Sequence, residues 1–294
     1  MTYTEFMALF PDNDTCVEYL RQKFFPDGTE CPKCGKVTKW HRIKSRAAYS
    51  CQFCGHQQYP TANTIFHKST VSLQLWFWAI FLMSSTRCGI SAKQLEREIG
   101  VSYPTALRMF RQIRTLLGQD DDQLVGKVEA DETFVGGKPR AGKPMSIAEH
   151  SARKTVVFAA IKRGGHVKAT IIPNTKAATL AGATRRFVLP QSTLYTDEYL
   201  GYRKVGREYA EHKRVHHSLG VYVDGGGDIT TNTIEAFFGL IKNGLRGVYH
   251  SVSTHHLQSY LDEYVFRFNA RVDGQPIFWS ILDRVVKEPQ LAAE

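Results

Sequence analysis

The chain has 294 residues, 43% hydrophobic and 22% charged, a globular composition with room for one large domain or two to three smaller ones. The excess of 38 Lys and Arg over 28 Asp and Glu gives a formal charge of +10, which favours a polyanionic partner such as nucleic acid without requiring one. The longest apolar run, residues 75–83, is too short to cross a bilayer, and the acidic start lacks a signal-peptide pattern. We therefore expect a cytoplasmic protein with no membrane partner.

The first 66 residues predict a short helical lead-in followed by a zinc-binding module. Residues 1–30 carry a periodic apolar pattern, with Asn13 or Asp14 as the expected N-cap of a helix. Residues 31–66 hold two C-x2-C pairs sixteen residues apart, each followed by a glycine that lets the backbone turn tightly around a metal. The residues between the pairs alternate enough to predict short strands. The four cysteines are Cys31, Cys34, Cys51 and Cys54. This spacing predicts a zinc ribbon with one structural zinc ion, because four thiolates close the tetrahedral shell.

Residues 69–118 predict helices, the first of which is a buried helix around the apolar run. Ser91 and Ser102 are the expected N-caps of two later helices, joined by a turn at Gly100. The last helix carries Arg108, Arg111 and Arg114. Two helices with a glycine turn and cations on the second resemble a DNA-binding helix-turn-helix, although many helical hairpins share the pattern without touching DNA.

After a polar linker at residues 118–123, the hydrophobic period changes from helical to alternating. Residues 124–275 predict three strands, a helix, a fourth strand and then helices, which together make a mixed α/β layer fold. A basic loop at residues 138–154 separates the first strand from a hairpin that turns at residues 164–165. Residues 276–294 are expected to be a C-terminal tail.

Three acidic side chains of this segment come from two strands and one helix. Asp131 shares the polar face of the first strand with Glu129, and Asp197 ends the strand "LYTD". Glu132 and Glu198, each next to an aspartate, are expected on the opposite strand face. Glu235 lies in the predicted helix "NTIEAFFGLIK", near the edge of an apolar face made by Ile234, Phe237, Phe238 and Ile241. Such a set of three carboxylates can hold two hard divalent cations through oxygen ligands, and a cation pair of this kind supports phosphodiester chemistry. The pattern alone leaves a second interpretation open, in which the three acids are separate solvated or capping residues.

Four motifs in combination carry a resemblance to a known family. The cysteine pairs "CPKCG" and "CQFCG" are followed by "EADETFVGGK", "LYTDEYLGY" and "TNTIEAFFGLIKNGLRGVYHSVS". Together they resemble the DDE transposases of bacterial insertion sequences, in the subgroup with an N-terminal zinc ribbon. The similarity covers residues 15 to 275, which is nearly the whole chain. It implies an RNase H-like catalytic domain over residues 124–275 that binds two magnesium or manganese ions.

The resemblance also implies roles for individual residues. Asp131 and Asp197 match the first two metal ligands of the family motif. Glu235 matches the third, because a basic residue follows seven positions later at Lys242, where it would contact DNA near the scissile bond. Some members of the subgroup use asparagine as the third ligand, and Asn232 lies one turn before Glu235. We favour Glu235, because a carboxylate binds magnesium better than a neutral amide does.

The function implied is that of a transposase acting in the bacterial cytoplasm at the nucleoid. It would cut DNA at the inverted-repeat ends of an insertion sequence and transfer the strands into target DNA. The two N-terminal modules would bind the ends, the loop at residues 138–154 would grip the backbone, and pairing of two ends implies at least a dimer. Two alternatives stay open: a zinc-containing DNA-binding transcriptional regulator, and an RNase H-like nuclease that only hydrolyses.

Overall fold

The computed structural model describes residues 1–136, 154–215 and 230–287. The chain divides into two compact units, of which the first comprises residues 1–116 and 276–294 and the second residues 117–275. The loop predicted at residues 138–154 lies outside the described residues except for Lys154. In the described part of the chain, no helix combines the length and the apolar character that crossing a bilayer requires.

The first unit begins with two short helices, α1 (Tyr3–Leu9) and α2 (Asn13–Phe24). The sequence placed the N-cap of α2 at Asn13 or Asp14, and that prediction was wrong. Asp12 is the cap, since its side chain accepts the backbone N–H of Thr15. The Asn13 side chain accepts the N–H of Leu73 instead, at 2.7 Å, so this amide joins two segments far apart in sequence.

Short antiparallel strands follow, as the alternating residues between the cysteine pairs predicted. One pair is β1 with β2, and a three-stranded sheet has the order β3-β4-β5. Their bounds are β1 (Thr29–Glu30), β2 (Val37–Thr38), β3 (Trp40–Ile43), β4 (Ala48–Cys51) and β5 (Gln57–Gln58). Strands this short bury little apolar surface, so the module needs a further source of stability.

Three helices then complete the continuous part of the first unit: α3 (Leu73–Ser85), α4 (Ala92–Ile99) and α5 (Tyr103–Thr115). α3 contains the apolar run, and seven of its thirteen residues are buried, which explains why no polar stripe interrupts it. Ser91 caps α4 by accepting the N–H of Gln94, as predicted. Ser102 occupies the N-cap position of α5, but its hydroxyl pairs with Thr105 Oγ1 and not with a backbone N–H.

The second unit is built on a five-stranded mixed sheet with the order β10-β9-β6-β7-β8. β6, β7 and β8 form an antiparallel meander, while β9 lies parallel to β6 and β10 parallel to β9. The strands are β6 (Lys127–Gly136), β7 (Lys154–Lys162), β8 (Val167–Ile172), β9 (Thr193–Thr196) and β10 (Glu211–Arg214). This order and these directions are the RNase H-like arrangement that the sequence predicted.

Helices cover both faces of the sheet, and each face has its own apolar core. Val128 and Ala130 of β6 belong to one core, together with buried side chains of α6 and α7. Val157 and Ala159 of β7 belong to the other, together with those of α8 and α9. The helices are α6 (Ala177–Phe187), α7 (Tyr202–Val205), α8 (Asn232–Gly247) and α9 (Thr254–Val272). The second core is the one beside the acidic residues.

The last helix of the described residues is α10 (Ile277–Lys287), in the segment that the sequence interpretation took as a tail. Its buried residues are Phe278, Ile281, Leu282 and Val285, spaced as one face of a helix. α10 packs against α2 and α3, and the Phe278 ring lies 6.0 Å from the Phe6 ring. The last helix therefore contributes to the core of the first unit, although it is remote from that unit in sequence.

Candidate active site and zinc centre

The four cysteines of the ribbon converge on one point. Their sulfur atoms all lie within 4.8 Å of one another, with Cys31 and Cys54 at 3.6 Å and Cys34 and Cys51 at 3.9 Å. A regular tetrahedron with Zn–S bonds of about 2.3 Å has sulfur atoms about 3.8 Å apart. A disulfide needs about 2.05 Å, so these distances fit a shared zinc ion and not a bond.

The backbone around the cysteines is shaped for a metal. Gly35 and Gly55 follow the two pairs with φ of 66° and 68°, and each donates its N–H to the carbonyl of the pair's first cysteine. This is the tight turn that the sequence predicted from the glycines. Burial acts to raise the pKa of Cys51, but hydrogen bonds from Thr38 Oγ1 and nearby backbone N–H groups lower it to about 6. A backbone hydrogen bond acts to lower the pKa of Cys54 in the same cluster, but burial and hydrogen bonds with the other three thiols raise it to about 11, so the fit to zinc rests on the sulfur geometry.

Asp131 and Asp197 both follow the parallel pairing of β6 with β9. The last pair of that ladder joins Glu129 to Tyr195. Two residues further along each chain come Asp131, still within β6, and Asp197, directly after the end of β9. Continued over two more residues, the register would bring the aspartates to the same level of neighbouring strands. Asp131 also pairs with Ala159, a member of the core that packs against α8, so it lies on the face that α8 covers.

Each aspartate has one oxygen held by the backbone. Asp131 Oδ1 accepts the N–H of Glu132 at 2.8 Å, and Asp197 Oδ1 accepts the N–H of Tyr199 at 3.0 Å. Thr196, directly before Asp197, is buried and pairs through its hydroxyl with His212 Nε2 at 2.9 Å. These contacts fix the end of β9 and orient the Asp197 side chain that follows it.

Helix α8 brings Glu235 to the aspartates. The apolar stripe predicted from the sequence is buried as expected: Ile234, Phe237, Phe238 and Ile241. Glu235 lies in the first turn of the helix and accepts a hydrogen bond from Thr231 Oγ1 at 3.1 Å. Lys242 is partly exposed two turns later, on nearly the same side. Asn232 is the first residue of the helix and is exposed.

The three acids are close enough for their charges to interact. Burial raises the pKa of Asp131 to about 7, and the negative charges of Glu132, Asp197 and Glu235 contribute to the rise. Within the described residues, however, the cysteines are the one set of three or more candidate ligands with all donor atoms inside 4.8 Å. The acids form a looser group, in which the mutual repulsion of the carboxylates would be relieved by a cation.

The raised pKa of Asp131 predicts a pH-dependent stability. Because its pKa of about 7 exceeds the unfolded value of 3.8, its contribution to folding is fully present below pH 3.8 and is lost as pH rises through 7. Asp131→Asn has no proton to lose. Without added divalent cations, we expect its gain in unfolding free energy over wild type to be roughly 1–3 kcal/mol larger at pH 8 than at pH 5. Urea unfolding of the zinc-loaded protein at both pH values measures this difference. An equal gain at pH 5 and pH 8 would contradict the raised pKa of Asp131.

The acids next to the two aspartates differ in placement. Glu132 lies on the opposite face of β6 and accepts a hydrogen bond from the buried hydroxyl of Tyr202, as the strand alternation predicted. Its pKa is raised, first by burial and also by the charge of Asp197. Glu198 lies beyond the end of β9, so strand alternation does not govern its direction.

The helix-turn-helix arginines also separate into two groups. Arg108 and Arg111 are exposed on α5, and Arg108 also donates to Ser69 Oγ at 3.5 Å. Arg114 is buried, with its guanidinium 3.8 Å from the centre of the Phe110 ring. Arg114 therefore supports the helix packing and is removed from the predicted DNA-contacting set.

Comparison with known proteins decides the family. Residues 123–269 match the profile of the ISXO2-like transposase domain, and residues 11–57 match that of the transposase zinc-ribbon domain. The first match alone spans half of the chain. The chain belongs to the ISXO2-like transposase family. This confirms the resemblance to insertion-sequence transposases with an N-terminal zinc ribbon and identifies the protein as a DNA-processing enzyme.

Two further similarities were found. The transposase is 28% identical over 282 residues to a protein of Halobacterium salinarum described as an uncharacterized protein in transposable element ISH50, covering 90% of this chain and 94% of the relative. The crystal structure of a pre-cleavage Mos1 transpososome matches 68% of this chain and 74% of its own at 12% identity, with a TM-score of 0.26. So low a TM-score is no evidence for a shared overall structure.

Two residues that the sequence interpretation did not assign to the site contact its helix. Glu129 is fully buried and accepts hydrogen bonds from Thr233 and Ile234 at the start of α8. Arg163 donates to Glu129 at 2.8 Å. The signal in the sequence was an acid two positions before Asp131 and therefore on the same face of the strand.

Proposed function

We propose that this transposase cuts DNA at the inverted-repeat ends of its element and transfers the strands into target DNA. Asp131, Asp197 and Glu235 would hold two magnesium or manganese ions for this reaction. The observation that supports the proposal is the parallel pairing of β6 with β9, whose register, continued by two residues, would bring the two aspartates level. The charge of Glu235, from a third element, acts on the same site.

A set of three carboxylates from separate elements suits a pair of hard cations. Ligand atoms around one ion lie close together, whereas two ions about 4 Å apart, each with bonds of about 2.1 Å, accept ligand atoms up to about 8 Å apart. A carboxylate group looser than the cysteine cluster is consistent with that span. When bound, such ions stabilise the attacking and leaving oxygens of a phosphodiester. Asp131 and Asp197 would fix the ions against the sheet, and Glu235 would close the site from the helix.

We propose Glu235 over Asn232 as the third ligand. Its charge reaches Asp131, and an ionised carboxylate is a stronger magnesium ligand than an amide. Exposure does not separate the two, since Asn232 and Glu235 are both exposed, and the backbone N–H of Asn232 donates to Thr230 Oγ1.

A cleft lined by basic residues of α8, the helix that carries Glu235, would hold the DNA. Lys242, Arg246 and His250 line a cleft of about 500 Å³ together with Val135 and Leu257. Cations beside an acidic metal site are placed to neutralise the phosphates of a bound strand. We propose that Lys242 contacts the strand next to the bond that is cut.

Removing a cation from this cleft should weaken DNA binding in a salt-dependent way. We expect Arg246→Ala to reduce the slope of log affinity against log salt by about 1 and to weaken binding about tenfold at 0.1 M salt. The control is Arg185→Ala, since Arg185 is an exposed arginine of α6 that pairs with Glu208. Fluorescence anisotropy with end DNA at several salt concentrations measures both variants, and an identical slope for Arg246→Ala and wild type would count against the cleft.

The N-terminal segments would recognise the ends. We propose that residues 31–66 form the zinc ribbon, that residues 69–118 form a helix-turn-helix-like module, and that residues 124–275 form the catalytic domain. Exposed Arg108 and Arg111 on α5 support a DNA-contacting role for the second segment. Two such chains on paired ends would make at least a dimer.

A nicking and joining assay on inverted-repeat DNA with Mg²⁺ or Mn²⁺ tests the proposal. A transposase gives nicked ends and a strand-transfer product, whereas a plain nuclease gives only nicks. A DNA-binding regulator shifts the mobility of the DNA and leaves it intact. Intact DNA in the presence of metal would overturn the proposed activity.

A further inference from the structure

Helix α8 has an unusual cap. The side chain of its N-cap residue, Thr231, accepts no hydrogen bond from a backbone N–H of the helix. Glu129, more than a hundred residues earlier, accepts those N–H groups: Oε2 lies 3.0 Å from the nitrogens of both Thr233 and Ile234. Oε1 accepts the Thr233 hydroxyl at 3.1 Å. A carboxylate at a helix N-terminus satisfies orphan donors and complements the helix dipole.

Arg163 completes the arrangement from the hairpin between β7 and β8. Its Nε donates to Glu129 Oε1 at 2.8 Å, and its NH2 group donates to the carbonyl of Thr230 at 2.6 Å. Its guanidinium lies 3.9 Å from the centre of the Tyr195 ring. Tyr195 belongs to β9, the strand directly before Asp197. One arginine thus contacts both the segment that leads into α8 and the strand that carries the second aspartate.

The network connects the three elements of the acidic site. Glu129 lies two residues before Asp131 on the same face of β6, and its capping bonds lie one or two residues before Glu235 on α8. The side chain of Glu129 is fully buried, so its bonds to protein donors are not exchanged with water. A helix held this way has a fixed start relative to the strand.

We propose that Glu129, with Arg163, is a positioning residue that fixes the start of α8 so that Glu235 faces Asp131 and Asp197 for divalent-cation binding. This inference rests on the proposed metal-dependent function. Glu129 touches neither the ions nor the DNA; it acts through the helix. Side chains that orient metal ligands in this way typically change metal affinity about 10–100-fold when they are replaced.

Glu129→Gln is the main test, and Glu263→Gln is its matched control. Glu263 is also buried and paired with an arginine, Arg267 at 2.8 Å, in the same unit. Both replacements remove a charge from a buried pair, so both reduce stability. Mn²⁺ binding to the zinc-loaded full-length protein, measured by calorimetry without DNA, separates positioning from stability.

We expect Glu129→Gln to weaken Mn²⁺ binding about tenfold or more, while Glu263→Gln stays within about twofold of wild type. The cutting rate of Glu129→Gln should recover at high Mn²⁺, because the ligands themselves are intact. Equal Mn²⁺ affinity in the two variants would overturn the inference, even if wild type cuts DNA. If wild type itself bound no Mn²⁺ and cut nothing, the proposed function and this inference would both be wrong.

Thr233→Ala keeps the test decisive if Glu129→Gln does not fold. It removes one hydroxyl bond to Glu129 and leaves the ion pair with Arg163 in place. We expect a smaller loss of Mn²⁺ affinity, about threefold, in a protein with wild-type secondary structure by circular dichroism. An unchanged Mn²⁺ affinity in folded Thr233→Ala would contradict the positioning role.

Discussion

Replacing Asp131 or Asp197 with asparagine will abolish metal-dependent cutting of inverted-repeat DNA while leaving DNA binding largely intact. The amide keeps the size of the side chain but removes the charge that a divalent cation needs. Since the ions supply several kcal/mol of charge stabilisation, and about 1.4 kcal/mol corresponds to a factor of ten, the cutting rate should fall by about 10³-fold or more. Nicking assays with Mg²⁺, paired with mobility-shift binding assays, measure the two effects separately.

The controls for this prediction come from the same unit. Asp273→Asn changes an exposed carboxylate that pairs with His166, and it should cut as wild type does. Glu235→Gln should behave like Asp131→Asn, whereas Asn232→Ala should retain most of its activity. If Asn232→Ala lost its cutting activity and Glu235→Gln retained it, the asparagine would be the third ligand. Loss of DNA binding in Asp131→Asn or Asp197→Asn would count against both aspartates as metal ligands.

Cys51→Ser will cost the transposase its zinc and the folded state of its ribbon. Cys51 is buried at the end of β4, in the central strand of the three-stranded sheet, and its sulfur lies 3.9 Å from that of Cys34. Structural zinc contributes about 10–16 kcal/mol of apparent binding free energy in small zinc modules, far more than strands of two to four residues supply. We expect zinc content to fall from about one ion per chain to near zero.

The same variant should bind transposon ends at least about 100-fold more weakly, if the ribbon recognises them, because the contacts of an unfolded module are lost as a set. Cys16→Ser is the matched control, since Cys16 is a buried cysteine outside the cluster. Metal analysis and anisotropy should show wild-type zinc and near wild-type binding for this control. Retention of a full zinc ion by Cys51→Ser would contradict the four-thiolate site.

Local patterns predicted much of this structure. The cysteine spacing and following glycines predicted the zinc cluster, since ligand geometry depends on a few neighbouring residues. The periodicity of residues 232–242 predicted which side of α8 is buried, because helix geometry fixes that side once Ile234 and Phe237 are identified as core. Alternation in β6 likewise placed Glu132 opposite Asp131.

Features that depend on distant partners were not predictable from local patterns. Asn13 was taken as a cap candidate, yet it bonds to Leu73 sixty residues away. Glu129 was seen as the second acid on a strand face, but nothing near it in sequence indicates that it caps α8. Residues 277–287 looked like a tail because they are separated by the whole second unit from the helices they pack against.

The most direct measurement is anomalous diffraction from crystals of the zinc-loaded transposase soaked in Mn²⁺. We predict two manganese peaks about 4 Å apart, with oxygen atoms of Asp131, Asp197 and Glu235 as ligands within about 2.3 Å. Well-ordered carboxylates with no manganese between them, at millimolar Mn²⁺, would contradict the two-ion site and with it the proposed cutting activity.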